Sequence, residues 1–369
     1  MAMTVDRQQV LAYRAFVQGL HRDTHAVGEL QVLDLGVQDT PPGSADHALA
    51  NRLPSPVPAA SNTTGLITTW SARGAPHVHR QDDLVPLSRA LWPWSDDDAL
   101  ARLDTSSGPV RLTGMPARQA LRLVAEQIAD IVTRPMPKGD VSTALTPRVP
   151  AVMTVDCRRC QATHIVETLF RTSVLPAGIS FAPRERVVTF VPVPGWPGVP
   201  NEAAGVDDLV TTYLLLLGPA TPDDVAAFLG TRTTELRSQW PGELAEVEVA
   251  GKTRWMPEAM IDTFSAPPDP PPVRLLPPSD PWLQARDRDL IVPNRDHQKT
   301  LWPILGRPGA LLVDGEVAGT WRARKRGQRL DVTIQPFGRL SASQRGLIDD
   351  EAALLAQVRG VADAAVTIE

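Results

Sequence analysis

Apolar residues at Val10, Leu11, Ala15, Phe16 and Leu20 recur at helical spacing, which predicts a helix over 5–20 with one buried face and Thr4 or Asp6 as its N-cap. A second apolar segment, LQVLDLGVQD, runs into the turn TPPGS, and ADHALANRL then resumes helical spacing. Two helices joined by a tight turn are expected there, ended by the proline-rich stretch 54–58. Residues 65–91 read as a helix up to Ser71, a turn at Arg73-Gly74-Ala75-Pro76, a short strand PHVHR and another helix from Asp82. That order is the order of a winged-helix module. An amphipathic helix follows over 116–132, with Leu121, Val124, Ile128 and Ile131 on its apolar face.

The segment 207–256 is the clearest unit: helix DDLVTTYLLLLG, turn, helix TPDDVAAFLG, a helical stretch TTELRSQW, and two alternating runs around the turn Ala250-Gly251. Three helices and a two-stranded wing make a winged-helix domain. The proline-dense stretch 266–281 cannot be helical and marks a boundary. Beyond it, period-two alternation with turns at Asp314-Gly315 and Arg326-Gly327 predicts a β-meander. A helix over 343–358 and a short strand AAVTIE close the chain. The expected fold is α+β, with tandem winged-helix units and a C-terminal β-rich, barrel-like domain. Three regions are drawn: 1–140, an N-terminal winged-helix region; 141–264, ending in the winged helix at 207–258; and 265–369, β-rich.

Length and composition narrow the class. A chain of 369 residues with 43% hydrophobic content is too apolar to be disordered, and its 36 prolines follow no collagen-like period. No apolar run approaches the roughly 20 residues a membrane helix needs, and the N-terminus lacks a signal-peptide pattern, so a cytoplasmic protein that does not enter membranes is expected. With 37 Lys+Arg against 42 Asp+Glu the net charge is −5, so any contact with nucleic acid must be concentrated on a local basic face.

The densest positive charge is Trp321-Arg322-Ala323-Arg324-Lys325-Arg326-Gly327-Gln328-Arg329, which straddles a hairpin turn. A two-stranded ribbon tipped with cations fits a DNA groove; the alternative is a solvated charged loop. Trp70, Arg73, His77, His79 and Arg80 crowd into a short stretch. His77 and His79, two apart on a strand, share a face, so they can address a phosphate or base together or sit as a core or surface pair. Asp82 and Asp83 are read as helix caps rather than metal ligands. Cys157-Arg158-Arg159-Cys160 with His164 has the spacing of half a zinc site, but no second pair follows, and two reduced, packed cysteines are expected. No G-x-S-x-G, P-loop, G-x-G-x-x-G or H-E-x-x-H motif occurs. Neither a cofactor nor a metal is expected. Gln38 and Asp39 place an amide and a carboxylate just ahead of Pro41-Pro42, where turn or helix capping is the plain alternative to catalysis.

Taken together, LGVQDTPPGSADHAL, TTWSARGAPHVHRQDDL, LGPATPDDVAAFLG, LAEVEVAGKTRWMP, RLLPPSDPWLQARDRD and LLVDGEVAGTWR span nearly the whole chain. In this order they resemble the winged-helix DNA glycosylases of the AlkZ and YcaQ type. The resemblance implies a tandem of winged helices around a DNA-binding cleft, excision of N7-alkylated guanine, and in some members unhooking of interstrand crosslinks. The family's Gln-x-Gln or Gln-x-Asp motif falls here on Gly36 and Gln38, so its first side chain is missing and Asp39 is the candidate substitute. By the same resemblance the family's W-x-x-R-G-x-x-H element falls on Trp70, Arg73, Gly74 and His77 and its hairpin on 322–329; Trp70 is expected at the DNA, Arg73, His77 and His79 on the lesion strand, and Arg322, Arg324, Lys325 and Arg326 on the backbone or minor groove. The expected protein is a monomeric DNA glycosylase acting on alkylated or crosslinked duplex DNA. The alternatives are a DNA-binding protein without excision activity and a protein-interaction scaffold.

Overall fold

The structure, a computed structural model, describes residues 3–55, 59–183 and 187–369, so residues 56–58 of the first proline-rich stretch lie outside it. The chain divides into two compact units: one of residues 1–63, 211–224 and 241–369, the other of residues 64–210 and 225–240.

In the first unit, Asp6 caps the helix Arg7–Val17 by accepting the Gln9 N–H at 2.8 Å. Strand Met3–Val5 runs parallel to Leu244–Val249, which pairs with Lys252–Pro257 across the expected Ala250-Gly251 turn; both turn residues are left-handed, at φ 51° and 73°. The C-terminal meander forms as expected and extends into one five-stranded sheet, in the order Val273–Leu276, Gly309–Val313, Glu316–Arg326, Arg329–Pro336, Asp363–Ile368. The last strand is parallel to its neighbour, a connection that needs a crossover, and helix Ala342–Val358 supplies it. Ile348, Ala352 and Leu355 of that helix bury against Leu311, Val332 and Ile334. The barrel-like closure expected from the sequence does not form: among the described residues the sheet is open, with Val273–Leu276 and Asp363–Ile368 as its edges. Trp321 crosses over Gly309, where any Cβ would lie 2.2 Å from the indole, and donates its ring N–H to the Leu276 carbonyl at 2.9 Å.

Two buried ion pairs fasten the N-terminal helices to this C-terminal segment. Arg14 reaches Asp287 at 2.7 Å and 3.0 Å, and Arg52 reaches Asp280 at 2.8 Å and 2.9 Å, each as a two-pronged pair. Both members of the second pair are fully buried.

In the second unit the amphipathic helix Ala117–Ile131 buries Leu121, Val124 and Ile128 as its spacing required. The stretch read as a helix up to Ser71 is instead strand Leu66–Trp70, antiparallel to Pro76–Arg80. Ile67, Thr68 and Thr69 are β-branched and favour the extended chain once a partner strand is in reach. The LQVLDL segment of the first unit also departs from expectation: it forms one short 3-10 turn, Gln31–Asp34, just after another at Val27–Glu29, rather than an α-helix. Nor does Asp83 cap the following helix, Leu84–Leu91, because its carboxylate is held by Arg80 at 2.9 Å.

Candidate nucleic-acid interface and active site

Gln38 ends the two-residue strand Val37–Gln38, and a tight turn leads from it into helix Ser44–Ala50. Asp39 holds this turn. Its Oδ1 accepts the N–H of Gly43 at 2.7 Å and of Ala45 at 3.1 Å, so the carboxylate caps the helix as its place before Pro41-Pro42 allowed. Gly36 lies at φ 84°, a left-handed conformation that a glutamine would hold only under strain. The missing first side chain of the motif therefore coincides with a backbone position suited to glycine.

The turn is anchored to the sheet of the same unit. Ser279 donates its hydroxyl to the Thr40 carbonyl at 2.6 Å, Asn51 donates to Leu275 at 2.9 Å, and His47 meets Trp321 edge to face at 5.4 Å. Pro41 and Pro42 of this turn border a groove of about 490 Å³ whose other walls include Arg307, Arg322, Lys325 and Arg359. The structure thus brings Pro41 and Pro42, which follow Gln38 and Asp39 in the chain, and the root of the basic hairpin to one groove of one unit.

On the hairpin, Arg322, Arg324 and Arg326 share one face and Ala323 and Lys325 the other. Residues 322–329 are all exposed. Asp331, opposite Arg324 in register, is bonded by both Arg326 and Arg329 at 2.9 Å, so two of the cations meet a carboxylate that the sequence reading did not weigh. Arg322 donates to the Gly306 carbonyl at 2.7 Å, next to an apolar tip the sequence reading missed: Ile304 and Leu305 are 96% and 85% exposed. Two large aliphatic residues held between Pro303 and Gly306 were the available signal.

Of the residues singled out in the second unit, Trp70, His77 and His79 are buried and Arg73 is half-buried. Trp70 is buried among Phe170, Phe181 and Phe190, all edge to face within 5.8 Å, with the cations of Lys138 and Arg171 over its ring. His77 and His79 do share a face, but it points inward: Ser71 Oγ bonds His77 Nδ1 at 3.0 Å and His79 Nε2 at 2.9 Å, and both rings are buried. Burial, with His79 and Arg73 nearby, holds His77 well below its usual range, so it stays neutral at physiological pH. Arg73 sits at φ 57° and is bonded to the Phe228 carbonyl while lying 4.9 Å over the Phe228 ring. The structure presents these four as a packed polar and aromatic cluster.

The family model described as "DNA glycosylase AlkZ-like" matches residues 32–358, and the chain belongs to that family. Among solved structures, the chain is similar to the DNA glycosylase AlkZ of Streptomyces sahachiroi, at 21% identity and a TM-score of 0.76, with all of both chains covered. At that identity the likeness speaks for the fold. No curated protein matches the chain. No helix among the described residues is long and apolar enough to cross a membrane.

Proposed function

We propose that this protein is a monomeric DNA glycosylase that hydrolyses the N-glycosidic bond of N7-alkylated guanine and unhooks crosslinks made through that atom. The observation that carries the reading is the turn that follows Gln38: it is fixed by the Asp39 cap and by Ser279, and its Pro41 and Pro42 border a cationic groove. N7 alkylation gives the base a positive charge and makes it a good leaving group, so the protein need not supply a strong general acid. What remains is to place a water and to stabilise the oxocarbenium-like sugar. Gln38, able both to donate and to accept, orients the water. Asp39, oriented by its capping bonds, sets a negative charge against the developing cation. Arg322, Arg324 and Lys325 take the phosphates, and Ile304 with Leu305 form an apolar wedge that enters between base steps. Trp70, Arg73, His77 and His79 act as positioning residues through their cluster, not by direct contact. We read the helices Val206–Leu217, Pro222–Leu229 and Thr233–Leu236 with the hairpin 244–257 as a winged helix.

A second reading, DNA binding without excision, is favoured by the same turn: Gly36 offers no side chain and Asp39 is engaged as a cap. Single-turnover incubation with a duplex carrying N7-methylguanine and with a mustard-type crosslink separates the two. Excision by wild type that Gln38→Ala abolishes supports the glycosylase. Salt-sensitive binding with no excision of either substrate establishes the second reading.

A further inference from the structure

The second unit carries a hairpin that the proposed reaction does not use. Strands Thr154–Cys157 and Ala162–Ile165 pair antiparallel with Cys157 opposite Ala162 and Val155 opposite His164, so Cys157 and His164 lie on the same face as diagonal neighbours. Residues 158–161 form the turn that joins the two strands. Gln161 closes this knuckle at φ 52°, a left-handed conformation that a non-glycine residue keeps only where its surroundings impose it. One ligand atom from each of Cys157, Cys160 and His164 lies within 4.8 Å of the others. Tetrahedral zinc with bonds of about 2.3 Å to sulfur and about 2.0 Å to nitrogen needs ligand separations of roughly 3.5–3.8 Å, a small inward closure from that geometry.

His164 is also turned for metal binding. Its Nδ1 donates to the Ile165 carbonyl at 2.8 Å, which fixes the tautomer and leaves Nε2 as the nitrogen with a lone pair to give. The hairpin itself has little else to hold it: eight paired residues, of which Ile165 is the buried one, form a ribbon that is marginal without a clip. Of the carboxylates close by in the chain, Glu167 is committed to Lys138 and Arg171 at 2.7 Å each, and Asp156 accepts from the Thr163 hydroxyl at 2.5 Å.

We propose that Cys157, Cys160 and His164 bind one zinc ion on this hairpin, with the fourth coordination position open to solvent. Binding releases the two thiol protons and leaves a neutral Zn(Cys)₂ core beside Arg158 and Arg159, so the ion clips the ribbon without adding charge to the surface.

The test uses the full chain, purified with a non-chelating reductant. Wild type should hold one zinc per chain. Its cobalt-substituted form should show the thiolate-to-cobalt charge-transfer band and the visible bands of a tetrahedral site. Cys157→Ser and Cys160→Ser should each lose the charge-transfer intensity, and His164→Ala should shift the visible bands. Because a variant can fail to fold, wild type is also alkylated with and without zinc: zinc should slow modification of Cys157 and Cys160 at least tenfold, and a chelator should restore it. Reduced wild type that takes up neither ion overturns the assignment, as do thiols that react equally fast with zinc present, or a charge-transfer band that survives loss of both cysteines.

Discussion

The basic hairpin offers a quantitative test, because its cations do not stand alike. Arg326 and Arg329 both bond Asp331, whereas Arg322, Arg324 and Lys325 are exposed and meet no carboxylate among the described residues. Each phosphate contact releases condensed counterions and adds about 0.9 to the slope of log affinity against log salt. Replacing Arg322, Arg324 and Lys325 with Ala should therefore flatten the slope by about 2.7. Over a fourfold rise in salt, from about 50 to about 200 mM, wild type should lose roughly 40-fold more affinity than the triple variant. Arg326→Ala should change the slope by less than one such step, because that guanidinium must first leave Asp331 to reach a phosphate. Fluorescence anisotropy with an unmodified duplex, titrated at several salt concentrations, reads the slope directly and does not depend on a lesion. Parallel plots for wild type and the triple variant would refute the assignment of the hairpin to the phosphate backbone. A slope loss as large for Arg326→Ala would refute the role given to Asp331.

Three further outcomes follow from the first unit. Asp39→Asn keeps a capping oxygen but removes the charge, so it should retain thermal stability while slowing excision; Asp39→Ala should in addition cost about 1 kcal/mol of stability, and single-turnover rates beside unfolding curves separate the two roles. Burial, then the nearby cations of Arg359, Arg22 and Arg52, pushes His47 down to about 3. Its contribution to stability is complete above the unfolded value near 6.5 and is lost as pH falls toward 3, amounting to about 2 kcal/mol by pH 5; His47→Leu should lack this loss in unfolding measured at pH 7 and pH 5. Asp280→Ala leaves Arg52 charged and buried and should cost about 3–5 kcal/mol by chemical denaturation, and pairing it with Arg52→Met should recover much of that.

Long periodic segments were legible in the sequence because one helix face or one strand face had a single way to bury. Helices Ala117–Ile131 and Ala342–Val358 and the strands from Gly309 to Pro336 lie where their spacing put them. Leu66–Trp70 was not legible as a strand, since five residues with apolar positions at 66, 67 and 70 fit either period; the β-branched run at 67–69 was the better guide. His77 and His79 show a different limit. Their two-residue spacing correctly predicted a shared face, but spacing carries no sign for inside or outside, and this face closes on Ser71. The Gln38–Asp39 turn was legible both as a candidate site and as a cap, because the same carboxylate pattern serves either end. Asp331 was not, because which cation it meets depends on hairpin register.

The placement of charge bears on how the proposed site tells a lesion from the rest of the duplex. A groove walled by Arg307, Arg322, Lys325 and Arg359 attracts phosphate and repels a cationic base. An N7-alkylated guanine thus gains nothing from entering it, and a bulky crosslinked base has more reason still to stay outside. Pro41 and Pro42 border the same groove, and Gln38 and Asp39, just ahead of them in the chain, offer an amide and a carboxylate, the dipole and charge that a positive sugar prefers. On this reading the strand runs along the cations while the damaged nucleotide faces the turn, and positive charge on the lesion becomes the feature that sorts it. An N7-alkylated guanine leaves as a neutral base, whereas an undamaged guanine would have to leave as an anion beside the Asp39 carboxylate. Discrimination then lies in the transition state more than in ground-state affinity, so damaged and undamaged duplexes should bind with similar strength and be separated by the rate of excision.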